Sequence, residues 1–205
     1  MNFTLVDPPE TDGEENLRSF SIASAPGEED LMVATRMRDT AFKRVLKAVA
    51  LGTEVKLDGP FGSFTLHRDG SRPPVFVAGG IGITPFRSMI LGAARNKPSP
   101  SSLSVLFQPP SRGRGPSSRN FKKSRNETRA FQCIGTFTEL EKSLLPWQGK
   151  PGVIDQEMLS RHLGDLAAPI YYSAGPPAIV AALRQMLLHA GVNEDDVRTE
   201  DFAVY

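Results

Sequence analysis

A short apolar run that ends in glycines sets the tightest limit on how this chain can fold. Pro74-Val75-Phe76-Val77-Ala78 carries no polar side chain, and Gly79-Gly80-Ile81-Gly82-Ile83-Thr84-Pro85 follows at once. Such a run is the mark of a strand buried on both faces, as in a parallel sheet. Glycines behind it let a backbone pass close to a phosphate, and a helix opening there offers unbonded N–H groups and the positive end of its dipole. The spacing predicts Thr84 at the N-cap and Pro85 at the first helical position, with the helix running over 85–95. Pro85 stands where the dinucleotide fingerprint has its third glycine, so these residues alone leave a phosphate site and a plain tight turn as alternatives.

The rest of the C-terminal part repeats the strand-to-helix theme. Strands are predicted over 103–107, 131–136 and 170–174, and helices over 156–163 and 178–189, the last ended by Gly191. This alternation predicts a doubly wound parallel sheet over 71–205. A second glycine loop, Ala174-Gly175-Pro176-Pro177, again joins a strand to a helix. Ligands of open α/β sheets sit outside the carboxyl ends of the strands, so two such loops at one edge reinforce each other.

Residues 1–70 read differently. Short strands are predicted over 3–6, 18–24, 31–37 and 54–57, punctuated by Pro8-Pro9, Pro26-Gly27 and Asp58-Gly59-Pro60. Between them one helix is predicted over 40–50, with Phe42, Val45, Leu46 and Val49 on one face and Asp39 or Thr40 as its cap. Short strands with Gly/Pro turns suggest a small antiparallel β-barrel. In Arg18-Ser19-Phe20-Ser21-Ile22-Ala23-Ser24, alternation sets Arg18, Phe20 and Ile22 on one face. Periodicity by itself makes this a half-buried strand with Phe20 in the core, although Arg18 has the chemistry to pair with a phosphate.

Composition narrows the classes. A net charge of +1 argues against nucleic acid as a partner, and no apolar run is long enough to span a bilayer. One cysteine, Cys133, excludes an internal disulfide and a multi-cysteine metal site, and no iron–sulfur or haem ligand set is present. His67, His162 and His189 are scattered without ligand spacing, so no metal is expected. The N-terminus lacks the basic and apolar regions of a signal peptide, and a cytoplasmic location is the expectation.

Taken together and in order, these segments resemble the ferredoxin–NADP reductase family of flavin-dependent NAD(P)H oxidoreductases. Arg18-Ser19-Phe20-Ser21 is similar to its Arg-x-Tyr-Ser flavin motif. Gly59-Pro60-Phe61-Gly62-Ser63-Phe64 resembles its Gly-Pro-x-Gly-x-Phe turn, and residues 78–85 match its pyrophosphate loop nearly letter for letter. Tyr172-Ser173-Ala174-Gly175-Pro176-Pro177 resembles its second nucleotide loop, and the aromatic ending at Tyr205 is similar to that of many members. The resemblance spans the chain apart from 108–130. It implies a partial flavin-binding barrel over 1–70 and a nucleotide-binding α/β domain over 71–205, with FAD and NADP or NAD as cofactors.

The resemblance also implies roles. Arg18 would hold the flavin diphosphate, and Arg36, Met37 and Thr40 would line the flavin phosphates. Phe20 would stack on the isoalloxazine, where Tyr is more usual, and Ser21 would hydrogen-bond near N5. Gly80, Gly82, Thr84 and Pro85 would cradle the nicotinamide nucleotide's pyrophosphate, while Gly175 and Pro176 border its nicotinamide half. Tyr205 would cover the other flavin face. Ser21 and Tyr205 are thus the catalytic candidates, and electrons would pass from NAD(P)H through flavin N5 to an unidentified protein or small-molecule acceptor. The alternative is a remnant or nucleotide-binding module that no longer holds flavin stably.

Three departures stand out. The chain opens at what resembles the second strand of a six-stranded barrel, which predicts an exposed edge. Ala174 stands where many members have Cys. Residues 108–130 hold three prolines, two glycines and seven Lys/Arg where a crossover helix belongs, a composition that predicts disorder. One hypothesis for that lost periodicity is a frameshift over about 108–125. It is tested by sequencing the gene there, and codons that cannot yield a helix-like peptide in another frame would end it.

Overall fold

A computed structural model describes residues 1–11, 16–95, 103–108, 131–137 and 150–202. The expectations placed on 109–130, including the frameshift, and those placed on Tyr205 lie outside the described residues.

The N-terminal part is an antiparallel sheet of three strands, β1 (Asn2–Leu5), β2 (Leu17–Ser19) and β3 (Val55–Asp58), in the order β2-β1-β3. Among the described residues these strands form an open sheet and not a closed barrel. Helix α1 (Ala41–Ala48) covers one face. Its Phe42 and Val45 meet Leu5, with Phe3, Phe20, Leu46 and Val55 around them. The helix starts where expected because the Thr40 side chain accepts the Lys43 backbone N–H at 3.4 Å.

Two predicted strands are shorter or absent. The ladder of β2 ends at Ser19, and residues 31–37 form no strand. One bridge, Ile22 to Val33, joins the two segments. Beside it the Ala23 N–H donates to the Met32 carbonyl, and the Ser24 hydroxyl accepts the Met32 N–H. A serine side chain that takes a backbone N–H in this way competes with a regular ladder.

The C-terminal part is a six-stranded sheet in which every pairing is parallel. Its strands are β4 (Pro74–Gly79), β5 (Leu103–Gln108), β6 (Phe131–Phe137), β7 (Lys150–Pro151), β8 (Ile170–Gly175) and β9 (Val197–Asp201), in the order β7-β6-β5-β4-β8-β9. The apolar run behaves as its composition dictates, since all of β4 is buried. Val75 and Val77 join Tyr171 in one cluster, under helices α3 (Gln156–Leu163) and α4 (Pro177–His189). Phe76 and Ala78 join Tyr172 in a second cluster on the opposite face, under helix α2 (Ile83–Arg95). Helices on both faces make the sheet doubly wound, as predicted. Strand β9 escaped the periodicity reading, although Val197 and Thr199 alternate with charged residues after the Gly191 turn.

The chain between the two sheets is fastened at several points. The Arg72 guanidinium pairs with Asp196 and donates to the carbonyls of Ala167, Ala168 and Pro169. His67 donates its backbone N–H to the Tyr172 hydroxyl at 2.7 Å. Its ring nitrogens meet that same hydroxyl at 2.8 Å and the Arg72 carbonyl at 2.9 Å. A carbonyl only accepts, so Nε2 carries the proton and Nδ1 accepts from Tyr172. On α2, Arg87 forms a two-pronged pair with Glu28 at 2.8 and 2.9 Å and donates to the Ala23 carbonyl.

Candidate functional site

The order of the parallel sheet decides where the loops meet. Strand β4 has β5 on one side and β8 on the other, so successive crossovers diverge there. A crevice opens at such a switch point, outside the carboxyl ends of the strands. The loops leaving β4 and β8 are the two glycine loops singled out in the sequence, and they interlock backbone to backbone. A Cβ on Gly82 would lie 1.9 Å from the Ala174 oxygen and 2.3 Å from its carbonyl carbon. Gly175 has φ +148°, and a Cβ there would lie 2.6 Å from the Gly79 oxygen. No other residue fits either position.

The turn differs in one respect from expectation. Residues Gly80–Gly82 form a single 3-10 turn that runs straight into α2, so Thr84 and Pro85 lie inside the first helical turn and not at the N-cap and first position. Thr84 is buried, and its hydroxyl donates to the Ile81 carbonyl at 2.7 Å. The hydroxyl therefore braces the turn where a cap would accept an N–H.

A cleft of about 1110 Å³ lies between the two sheets. Arg18, Phe20, Ser21, Arg36, Thr84, Pro85 and Pro176 all line it, so the fold brings together candidates that are far apart in sequence. Met37 and Thr40 do not line the cleft: Met37 is exposed, and Thr40 caps α1. Gly80 sits beside Arg36, whose Nη2 would lie 3.4 Å from a Cβ placed there. Gly82 and Gly175 form the interlock beneath the cleft. Tyr205 lies outside the described residues.

Cations crowd the N-terminal wall. Arg18, Arg36, Arg38 and Lys43 all line the cleft. Lys43 is only 5% exposed, bonds to the Thr35 hydroxyl, and sits 5.0 Å from the Phe20 ring centre. Burial pushes its ammonium below the usual lysine range, and the like charges of Arg18 and Arg38 push the same way. The Arg18 guanidinium lies 5.0 Å from the Phe42 ring centre. A buried ammonium with arginines beside it favours an anion, and a diphosphate supplies one. Sequence reading missed Lys43 because one lysine in an amphipathic helix reads as a solvated position. Its place one turn from the Thr40 cap was the available signal.

The opposite wall comes from the unpredicted strand. Glu200 pairs in register with Ala174 and Asp201 with Gly175, while the Phe202 N–H donates to the Gly175 carbonyl at 2.8 Å. Thr199, Glu200, Asp201 and Phe202 therefore line the cleft. The Ser21 hydroxyl donates to the Glu200 carboxylate, 3.4 Å from each oxygen. Burial raises the Glu200 carboxyl above the usual carboxylate range, against the smaller opposing pulls of Ser21 and the N-terminal ammonium. Among the described residues no cluster of His, Cys, Asp and Glu could hold a metal, and no helix is long and apolar enough to cross a membrane.

A doubly wound sheet with interlocked glycine loops at its switch point, facing a cationic wall across a cleft, is the build of a dinucleotide-dependent oxidoreductase. Residues 76–185 match the family described as the oxidoreductase NAD-binding domain, and the chain belongs to that family. Over 205 residues it is 27% identical to a Marinomonas sp. (strain MWYL1) Na(+)-translocating NADH-quinone reductase subunit, covering 98% of this chain and 48% of that protein. Over 198 residues it is 28% identical to the terephthalate 1,2-dioxygenase reductase component 2 of Comamonas sp, covering 94% of this chain and 56% of that one. The chain thus spans about half the length of these relatives. Among solved structures, the FAD/NAD-binding domain of nitric oxide dioxygenase from Vibrio cholerae O1 biovar El Tor has a similar fold, with TM-score 0.79 at 18% identity over 98% of this chain and 83% of that one. The cytochrome b5 reductase domain of Ulva prolifera nitrate reductase is similar, with TM-score 0.77 at 18% identity over 97% and 82%.

Proposed function

We propose that this chain is the FAD- and nicotinamide-binding part of an NAD(P)H-dependent flavoprotein reductase, residues 1–70 serving the flavin and 71–205 the nicotinamide nucleotide. The observation that carries the proposal is the cleft that the cationic wall and residues of both glycine loops line together. The residues fit both cofactors, because the buried Lys43 among arginines suits a diphosphate and the glycine turn that opens α2, held close by the Gly82–Ala174 interlock, suits a second one.

Arg18, Arg36 and Lys43 would hold the flavin diphosphate, with Thr40 setting Lys43 through the cap of α1. Phe20 would offer a ring face to the flavin, and Ser21 a hydroxyl whose direction Glu200 governs through their hydrogen bond. Gly80, Gly82, Thr84 and Pro85 would seat the nicotinamide nucleotide's pyrophosphate on the first turn of α2, with Gly175 and Pro176 beside its nicotinamide half and Tyr205 closing the flavin's other face. FAD, when bound, supplies the centre that accepts a hydride at N5 from NADH or NADPH. The protein's contribution is to hold the two rings in contact. The electron acceptor would be a separate protein or small molecule. The terephthalate dioxygenase reductase component points to an oxygenase partner as one such acceptor.

The test is the visible spectrum of purified protein after loading with FAD and desalting, followed by anaerobic NADH or NADPH. Retained flavin that bleaches supports the reading, and the nucleotide that bleaches it gives the specificity. Flavin lost on desalting favours the second reading, a remnant or nucleotide-binding module. The open three-stranded sheet is the observation on that side.

A further inference from the structure

We infer that Arg87 is a positioning residue: it fixes the segment carrying Phe20 and Ser21 against the glycine turn that opens α2, and so sets how flavin and nicotinamide meet. The effect on rate rests on the two-cofactor reading above, whereas the brace itself exists with or without cofactors. Phe20 and Ser21 line the cleft from the N-terminal side, and Ile81, Thr84 and Pro85 line it from the other. Arg87 stands one helical turn beyond Ile83. Its guanidinium reaches the chain just past Ser21, donating to the Ala23 carbonyl at 2.8 Å and to the Glu28 carboxylate at 2.8 and 2.9 Å. Glu28 is itself tied to that chain, because its carboxylate accepts the Ala25 N–H at 2.6 Å. Further along α2, Arg95 donates to the Pro26 carbonyl at 3.0 Å.

A two-pronged arginine–carboxylate pair constrains distance and angle together, which a single long bond does not. The contact between Ser21 and Glu200, at 3.4 Å to each oxygen, is long and leaves the spacing to the shorter fork. Ala23, Ser24 and Ala25 are buried, so the braced segment has little room to shift unless the helix moves with it. Arg87 does not line the cleft and is placed to touch neither cofactor, so its contribution is to alignment. Hydride transfer needs the two rings in near contact. A displacement of about 1 Å caused by a remote substitution slows such a step roughly a hundredfold while the binding contacts stay in place.

The main variant combines Arg87→Met with Glu28→Gln. It removes both charges, while the amide oxygen introduced at position 28 can still accept the Ala25 N–H. Arg87→Lys keeps the charge but replaces the fork by a single bond. In the chain without cofactors, hydrogen–deuterium exchange over residues 20–26 is expected to quicken roughly tenfold in the double variant, with β1 and β3 unchanged. After loading with FAD, stopped-flow bleaching at saturating NADH or NADPH is expected to slow roughly ten- to a hundredfold. The affinities for FAD and for the oxidised nucleotide are expected to stay within about threefold of wild type, and Arg87→Lys to fall between the two in rate. Loss of FAD by wild type would overturn the two-cofactor reading and not the brace, which the exchange measurement decides. Exchange that is unchanged over 20–26 or quickened equally throughout the chain, bleaching at the wild-type rate, or slowing matched by an equal loss of affinity would each overturn the inference.

Discussion

Replacing Glu28 by Gln should cost stability at neutral pH and almost nothing in acid. The Glu28 carboxylate accepts the Ala25 N–H at 2.6 Å and two guanidinium N–H bonds from Arg87. The Arg87 bond, then the Ala25 bond, hold its pKa at about 2 against an ordinary 4.5, with burial opposing them. A group whose folded pKa is depressed stabilises the fold above its unfolded pKa and loses that contribution as pH falls through the folded value. The difference, 4.5 minus about 2, corresponds to a ceiling of about 3.4 kcal/mol. Both side chains are roughly a fifth exposed (23% and 22%), so solvent screening brings the expectation to on the order of 2 kcal/mol. Urea titrations of wild type and Glu28→Gln, extrapolated to water at a series of pH values, isolate this contribution from other titrating carboxylates. The gap should be full near pH 7, close between 4.5 and about 2, and follow the protonation of this single group. A gap that does not change across that window would refute the reasoning, because the pair would then contribute no linked proton.

Gly82→Ala drives a Cβ into the Ala174 backbone, so the two loops must part. A loss at or above the roughly 1–3 kcal/mol of ordinary overpacking is expected by thermal melting, together with weakened nicotinamide-nucleotide binding by titration calorimetry. Lys43→Met removes a buried cation whose ammonium is already disfavoured. Thermal melting should find the fold unharmed, while equilibrium dialysis should find FAD affinity lowered roughly ten- to a hundredfold, the worth of a charge-assisted bond. Glu200→Gln tests the opposite sign. Because folding raises this carboxyl above 4.5, ionising it costs stability as pH rises through that range. The variant should therefore match wild type in acid and melt higher at neutral pH. Tyr172→Phe leaves the His67 N–H without its acceptor and should cost about 1–3 kcal/mol by urea titration.

The local elements were legible in the sequence wherever burial is total or a cap is chemical. The run at Pro74 gave a strand because an all-apolar segment has only one low-cost environment. Helix α3 was legible from end to end, since the Asp155 side chain accepts the Met158 N–H and Gly164, at φ +74°, closes the helix. The cap at Thr40 was legible for the same reason. The segments at 18–24 and 31–37 were over-read, because past Ser19 they meet in a single bridge, beside which the Met32 N–H goes to the Ser24 hydroxyl.

The inventory is therefore written in the sequence: two glycine loops, each between a buried strand and a helix, and an arginine–serine segment upstream. How these meet is a matter of tertiary structure. Only the order β5-β4-β8-β9 sets one glycine loop against the other and carries Glu200 to within 3.4 Å of Ser21, a residue 179 positions earlier. Only the packing of α1 on the small sheet turns Lys43 from an ordinary helix lysine into a buried cation on the wall of the cleft. Periodicity reports which side of an element is dry, because that is a property of neighbours along the chain. Which distant residue shares that dry side is a property of strand order, and strand order leaves no periodic trace.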